Sequence, residues 1–364
     1  MAAARFLSQE EILMKDKSMG QKALSIAIMA AALLLMVASL ILDASGNQFA
    51  GRGPMLIVGI IAFLFGIYKF PTPQHHRAIV YIIFLFPLLF TFFVTVIIPL
   101  ILGIGYSFTD WTGVSITKNV GFANYSTMFH DPAFIYSILI TFIFVVLNVI
   151  LINLVGFLLA LLCTSAIRGT GFFRAAYFLP NLIGGIVLGY IWQFVFNNVL
   201  TKLTNTSVSV LSQSKSAMLA IVIVYIWQYG GYIMLIYITG LTQIPSDVLE
   251  AAAIDGANSV QTLFRIKIPM IASTVTICTF LTLTSAFKQF DVNMSLTNGA
   301  GSVSNFMGSY LSNGTQMLAL NIYNTAIAKN NYAVAQAKAV LFFIILAVVS
   351  LIQVRVSNKK EVEL

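Results

Sequence analysis

The 364-residue chain is 59% hydrophobic and only 9% charged, where a soluble domain would be about one-quarter charged. So much apolar surface excludes a single water-soluble core and makes lipid the solvent of the folded chain. The net charge of +8 would suggest nucleic acid in a soluble protein, but here it fits the Lys/Arg bias that orients spans in a bilayer, and no nucleic-acid partner is expected.

Charge-free runs delimit the predicted spans in chain order: 23–42, a short one at 53–68, then 78–109 and 132–167, each longer than a bilayer needs. Runs at 175–201, 216–246 and 268–287 follow, with a last one up to Val354. The expectation is an all-α polytopic membrane protein of about eight transmembrane helices. The first run is long enough to span and has no clear cleavage site, so it reads as a helix and not a signal peptide. Cys163 and Cys278 sit inside apolar runs as small hydrophobes, and His75, His76 and His130 have no metal-ligand spacing.

Orientation follows from the basic residues. With the N-terminus inside, thirteen Lys and Arg face the cytoplasm and seven, Lys288 and Lys338 among them, face the other side. That balance predicts both termini inside. The outer loops then carry the turn formers, at 43–48, 110–125 and 197–216. The Gly/Ser/Asn-rich stretch from 297 to 330 reads as an ordered cap or lid and not a span.

One short polar element interrupts the spans on the cytoplasmic side: "EAAAIDGANSVQTLFRIKIP", residues 250–269. Pro245 ends the preceding span, and Asp247 with Glu250 has capping-box spacing. Both carboxylates then fall in the first turn, where the helix dipole favours them. Gly256 suits a left-handed stop, Asn258 and Gln261 repeat the capping pattern, and Pro269 fits the start of the next span. Leu249, Ala252 and Ala253 give the short helix a face of modest size. A plain re-entry loop is the alternative, although reversal alone needs only a few residues. Small side chains and a tight glycine suit a knob that enters another protein's groove.

A second constellation lies in the span before it. Tyr225, Gln228, Tyr229 and Tyr232 fall at helical spacings and can form one stripe. Aromatic faces and amides suit sugar rings and their hydroxyls, and an in-span Gln is costly unless it faces a cavity. Helix packing permitted by Gly230 and Gly231 is the alternative. Lys288 and Asp291, three apart, read as a structural ion pair near the outer end, with a charged contact to substrate as the alternative. Asn148 and Asn153 read as interhelical packing partners.

The spacing Glu250-Ala251-Ala252, Gly256, Ile266 and Ile268-Pro269 resembles the EAA signature of bacterial ABC-importer permeases, with Ile268 in place of the usual Leu. "IPSDVLEAAAIDGA" (244–257), "SFTDW" (107–111), "GFANY" (121–125), "FFRAAYFLP" (172–180) and "FDVNMSLTNGAG" (290–301) resemble the carbohydrate-importer branch, of MalF and UgpA type. The resemblance covers roughly 78–356. It implies a six-helix type I importer core there, preceded at 1–77 by a cytoplasmic segment and two extra N-terminal helices, and followed by a cytoplasmic tail at 357–364. It implies a multi-pass protein of the bacterial plasma membrane.

The same resemblance makes residues 246–257 a coupling helix that docks on a separate ATPase, through Glu250, Ala251, Ala252, Asp255 and Gly256. It makes Tyr225, Gln228, Tyr229, Tyr232, Thr282 and Gln289 the substrate-lining set. Ala286 replaces a polar group of the maltose case, and Gly299-Ala300-Gly301 lacks the family's proline, so maltose-like specificity does not follow. The large external domain of enterobacterial maltose permeases is also absent. Implied partners are a second homologous permease subunit, two cytoplasmic ATPase subunits that bind ATP and Mg, an extracellular solute-binding protein, and a carbohydrate. The chain itself has no GxxxxGK[ST] loop, so it is expected to hold no cofactor and to be no enzyme. A glycerol-phosphate or other polar-solute importer is the nearest alternative. An ion-driven transporter would show mid-membrane charge pairs and internal repeats, and a membrane enzyme a recurring acid–base constellation.

Overall fold

The computed structural model describes residues 2–44, 51–70, 76–165 and 168–358. The expected loop at 43–48 and the tail at 357–364 fall largely outside them. The chain forms two compact units, Met1–Leu100 and Ile101–Leu364. Among the described residues the architecture is helical, apart from one two-stranded hairpin and two isolated β-bridges.

In the first unit α1 (Ala2–Ala44) packs along α2 (Arg52–Lys69). Gly59 and Gly66, seven apart on one face of α2, make this possible. A Cβ on either would lie 2.7 Å from Met36 Cγ or 2.6 Å from Met29 Cγ, so only hydrogen fits between the helices. Next comes α3 (His76–Phe92). It runs through a π-helical stretch (Phe93–Ile97) into α4 (Ile98–Tyr106).

The second unit is built on α6 (Pro132–Thr164), α10 (Ser214–Thr242), α14 (Ala272–Phe287) and α17 (Tyr332–Asn358), with the small α5 (Ala123–Phe129) leading into α6. Phe144, Ile152, Ile221, Tyr225, Met234 and Phe287 are buried between them. Gly156 lets α6 approach α10, since a Cβ there would meet Ile233 Cγ2 at 2.8 Å.

Among the described residues five helices are long and apolar enough to cross a bilayer, or up to seven if each of two bent pairs counts as one span. Gly53–Lys69 is a shorter apolar helix. The runs expected as straight spans at 175–201 and 268–287 are the bent ones. The first is α7 (Thr170–Leu182) and α8 (Gly185–Phe194), which continues through π-helix into α9 (Thr201–Leu203) and turns by 98° at the break. Pro180, lacking an N–H, sits where α7 runs out, and Gly184 is extended at the break. The second bends by 72°. Here α12 (Ser259–Thr262), a π-helical stretch and α13 (Ile268–Met270) precede the corner at Ile271, two residues past Pro269. A run of apolar residues fixes a span's length, whereas proline and glycine fix where it breaks.

Two sets of contacts define one end of this unit. Phe306 stacks edge-on against Tyr136 near the start of α6, and the Ser214 hydroxyl at the start of α10 donates to Ser302 O at 2.6 Å. The stretch from 291 to 326 is therefore ordered at that end: α15 (Asp291–Thr297), β1 (Val303–Phe306), β2 (Ser309–Leu311) and α16 (Leu318–Ala326). Asn293 holds it internally, donating to Thr315 O at 2.7 Å and accepting from Met317 N at 3.0 Å.

At the same end Lys338 is 1% exposed. Its ammonium donates to Asp131 Oδ2 at 3.1 Å, Asn321 Oδ1 at 2.9 Å and Thr325 Oγ1 at 2.9 Å. All three of its donors are used, which ties α17 to α16 and to the cap of α6. Lys338, counted by its charge with the outer side, is an internal tie there, because it lies two turns inside α17 facing α16.

Candidate functional site

The polar element after α10 forms α11 (Ser246–Ile254), followed by a tight turn into α12. Its stop is a Schellman arrangement: Gly256 N–H bonds Ala253 O at 3.1 Å, and Ala257 N–H bonds Ala252 O at 3.0 Å. Gly256 has φ +78°, the left-handed conformation that the sequence asked of it. The expected capping box at Asn258 is present too, with Gln261 N donating to Asn258 Oδ1 at 2.8 Å and Asn258 N to Gln261 Oε1 at 2.9 Å.

The capping box expected from Asp247 and Glu250 does not form. The helix begins at Ser246, so Asp247 is already inside the first turn and makes no cap hydrogen bond. Asp247 still complements the helix dipole there, while Glu250 lies beyond the first turn. The faces also differ from expectation. Ala252 is buried and Leu249 half-buried against the rest of the chain, whereas Glu250, Ala251, Ala253, Ile254 and Asp255 are exposed. Ile254 is 86% exposed, and Val260 and Phe264 on the following turns are 64% and 63% exposed. Sequence reading passed over these three. For Ile254 the signal was its place five positions from Leu249, which helical geometry puts off the Leu249–Ala252 face.

In α10, Tyr225 and Tyr229 touch, with ring centroids 4.5 Å apart, and Phe144 of α6 packs on Tyr225 at 5.2 Å. Tyr225 and Gln228 are buried, while Tyr229 and Tyr232 are half-buried. No hydrogen bond engages the side-chain amides of Gln228 or Gln289 among the described residues. Thr282 lies elsewhere: its hydroxyl accepts from Asn153 Nδ2 at 2.9 Å and donates to Cys278 O at 2.8 Å. Tyr237 donates to Asn153 Oδ1 at 2.9 Å. Asn153 thus joins α6, α10 and α14, the interhelical role expected of it. Asn148 turns back on its own helix, donating to Phe144 O at 2.8 Å.

The expected Lys288–Asp291 ion pair is not formed among the described residues. Lys288 ends α14 and Asp291 opens α15, so the i,i+3 spacing does not fall on one helix. Both side chains are exposed. Asp291 instead packs on α8, where Gly185 is required: a Cβ there would lie 2.7 Å from Asp291 Cβ. Gly189 is tighter still, at 1.8 Å from Ser295 Oγ. Among the described residues no group of His, Cys, Asp or Glu could hold a metal ion.

Bent and straight apolar helices around a buried aromatic stripe, with an exposed polar helix at a connector, define a multi-pass membrane protein whose spans are broken at set points. Residues 152–362 match the family described as "Binding-protein-dependent transport system inner membrane component". The chain belongs to that family. It is 43% identical over 289 residues to the "Probable starch degradation products transport system permease protein AmyD" of Thermoanaerobacterium thermosulfurigenes, covering 78% of this chain and 96% of that one. It is 31% identical to the "Multiple sugar-binding transport system permease protein MsmF" of Streptococcus mutans, over 72% and 90% of the two chains. A bacterial ABC transporter involved in import of the acidic polysaccharide alginate has the same fold, with TM-score 0.65 at 19% identity, over 79% of this chain and 97% of that one. The protein is therefore an ABC permease component of the inner membrane, and a transport component rather than an enzyme.

Proposed function

We propose that the chain is one half of a heterodimeric permease that moves a carbohydrate, an oligosaccharide in particular, delivered by an extracellular solute-binding protein. The observation that carries the importer reading is α11 itself: an exposed nine-residue helix stopped by a left-handed glycine. Such an element is stiff enough to transmit displacement and short enough to enter a cleft on a separate ATPase subunit. On this reading two ATPase subunits bind ATP and Mg, and their closure moves the docked helices, switching the spans between outward and inward access. Glu250, Ala251, Asp255 and Gly256 meet the ATPase, and Ile254 joins them. Ala252 acts from the inner face, seating α11 on its own chain.

Both termini are cytoplasmic on this reading, and counting Gly53–Lys69 as a span gives eight. The N-terminal helices through residue 77 are an addition to a core at 78–356, with a tail at 357–364. The carbohydrate assignment is supported by the aromatic stripe and by the free amides of Gln228 and Gln289, which suit sugar faces and hydroxyls. Tyr225, Tyr229 and Tyr232 supply the rings. The names of two relatives point the same way, to starch degradation products and to multiple sugars. A glycerol-phosphate importer is the second reading, because a relative 27% identical over 66% of this chain is the "sn-glycerol-3-phosphate transport system permease protein UgpA" of Agrobacterium fabrum.

The test is co-purification with the partner subunits, then ATPase measurement in nanodiscs against maltodextrins, other oligosaccharides and glycerol 3-phosphate with the cognate binding protein. Stimulation by an oligosaccharide is expected. Stimulation by glycerol phosphate alone discards the carbohydrate, and no associated ATPase discards the importer.

A further inference from the structure

Asp291 combines a fixed position with an unspent charge. It opens α15, and α15 is keyed into α8 by two matched pairs, each four residues apart. Asp291 fills the notch at Gly185, and Ser295 fills the one at Gly189. The Gln193 side chain of α8 donates to Leu296 O at 3.1 Å and closes the same contact. The Cβ of Asp291 therefore cannot shift unless α8 moves with it. Yet no hydrogen bond or ion pair engages its carboxylate among the described residues, and the side chain is exposed.

The depth of this carboxylate makes its charge informative. Gly185 stands at the 98° break of the span formed by α7, α8 and α9. Across from it α15 packs on α10, and the Asp291 carboxylate is within electrostatic reach of the Tyr229 hydroxyl, midway along that helix. An ionised carboxylate at such a depth is costly against lipid, so it faces a water-filled cavity or a cation. Lys288, three residues before it, does not pair with it. The dipole of α15 favours an acid in its first turn, but that effect does not require a side chain wedged against a glycine. Asp291 thus brings a negative charge to the aromatic stripe of α10, held there by packing and left free at its oxygens.

We propose that Asp291 is a specificity-determining residue of the translocation path, whose carboxylate accepts hydrogen bonds from hydroxyls of a neutral sugar and turns away anionic cargo such as uronates and sugar phosphates. The proposal rests on the carbohydrate reading above and narrows it to neutral oligosaccharides. An ionised carboxylate is an acceptor only, with two oxygens for two hydroxyl donors. A carboxylate or phosphate brought beside it finds no donor there and meets a like charge, which weak screening inside a protein makes costly.

The experiment uses the complete transporter in phosphatidylcholine nanodiscs, with a reporter thiol introduced as Tyr229→Cys. Cys163 and Cys278 are 2% and 0% exposed and stay silent. Modification by a cationic and an anionic methanethiosulfonate of similar size is compared, each rate divided by that of free cysteine. The cationic reagent is expected to be favoured about tenfold. Asp291→Asn, which keeps the size of the side chain, should lower that ratio at least threefold. An unchanged ratio would overturn the proposal, as would a thiol that neither reagent reaches, because the stripe would then face no aqueous cavity. In proteoliposomes with saturating loaded binding protein, uptake of a neutral oligosaccharide should fall at least tenfold in Asp291→Ala. It should fall no more than threefold in Asp291→Asn, which retains an acceptor oxygen, and both variants should unfold at the wild-type midpoint. Undiminished uptake in a well-folded Asp291→Ala would overturn the contact with sugar. A wild-type transporter that takes up none of a panel of neutral oligosaccharides, with the thiol ratio as expected, removes the carbohydrate reading and leaves the barrier to anions standing.

Discussion

Gly231 shows how completely a single residue can be determined by its neighbour. A Cβ built on it would lie 1.8 Å from Tyr177 O, a backbone atom of α7 that cannot swing aside. Gly231→Ala must therefore push α7 off α10, and a destabilisation of about 3 kcal/mol is expected, read as a lowered unfolding midpoint in detergent. Gly230, one position away, has only Val155 at 3.5 Å, so Gly230→Ala should cost far less and serves as the control. Asp110 is determined by hydrogen bonding instead. The Thr117 hydroxyl, and then the Lys118 backbone N–H, hold its carboxyl down to about 2, against about 3.9 for an unperturbed Asp. A depressed carboxyl contributes to loop order above its unfolded value and loses that contribution as pH falls through its folded value. The loop should therefore be unchanged from pH 7 to 5 and loosen only as pH drops from about 4 towards about 2. Trp111 reports on this, since it stacks on Tyr106 at 4.6 Å and meets Tyr332 at 5.7 Å. In a Trp192→Phe/Trp227→Phe background its emission should stay flat to pH 5 and shift below pH 4; a shift centred near pH 6 would contradict the assignment.

Among the elements, α11 gives the sharpest separation of stability from function. Gly256 has φ +78° and nothing within 4 Å of where a Cβ would sit, so Gly256→Val meets no clash and only the left-handed penalty of about 1–2 kcal/mol. That cost is local to an exposed turn. Gly256→Val is expected to unfold close to wild type yet lose most substrate-stimulated ATPase, because the helix no longer points where the partner needs it. Full stimulation in a well-folded Gly256→Val protein would sink the docking role. This turn was legible in the sequence because glycine, the Asn258–Gln261 box and Pro269 each act through local backbone chemistry. The Asp247–Glu250 box does not form because the helix starts two residues earlier than an Asp247 cap requires, which turns the cap into a first-turn residue. The bends at 182–185 and 271 were legible only as prolines and glycines whose effect depends on what packs beside them. Thr282 joined the expected pocket through the family resemblance, and only the three-helix contact at Asn153 reveals that its hydroxyl is already engaged. The buried tie at Lys338 was hidden for the same reason: Asp131, Asn321 and Thr325 lie far from it in sequence, and hydropathy carries no information about such pairings.

At the scale of the whole molecule, the two compact units make different demands on their surroundings. The helices α1 and α2 are matched to each other through Gly59 and Gly66, each closed over a methionine of α1, so they have a partner without the core. The core in turn has its own ties at Asn153, Asn293 and Lys338, all made between residues beyond 101. The AmyD relative is covered over 96% of its length by 78% of this chain, so about a fifth of this chain has no counterpart in it. Residues 2–77 should therefore be dispensable for the transport cycle itself. A deletion of 2–77, which keeps the span Phe84–Tyr106 whole, is expected to assemble with its partner subunits and retain substrate-stimulated ATPase within about twofold of full length. Its unfolding midpoint should also match, because no core tie is removed. The yield of membrane-inserted protein is where a loss should appear, since the first span and its flanking Lys15, Lys17 and Lys22 set the orientation of those that follow. Normal insertion with abolished stimulation would instead make the N-terminal helices a working part of the translocation machinery.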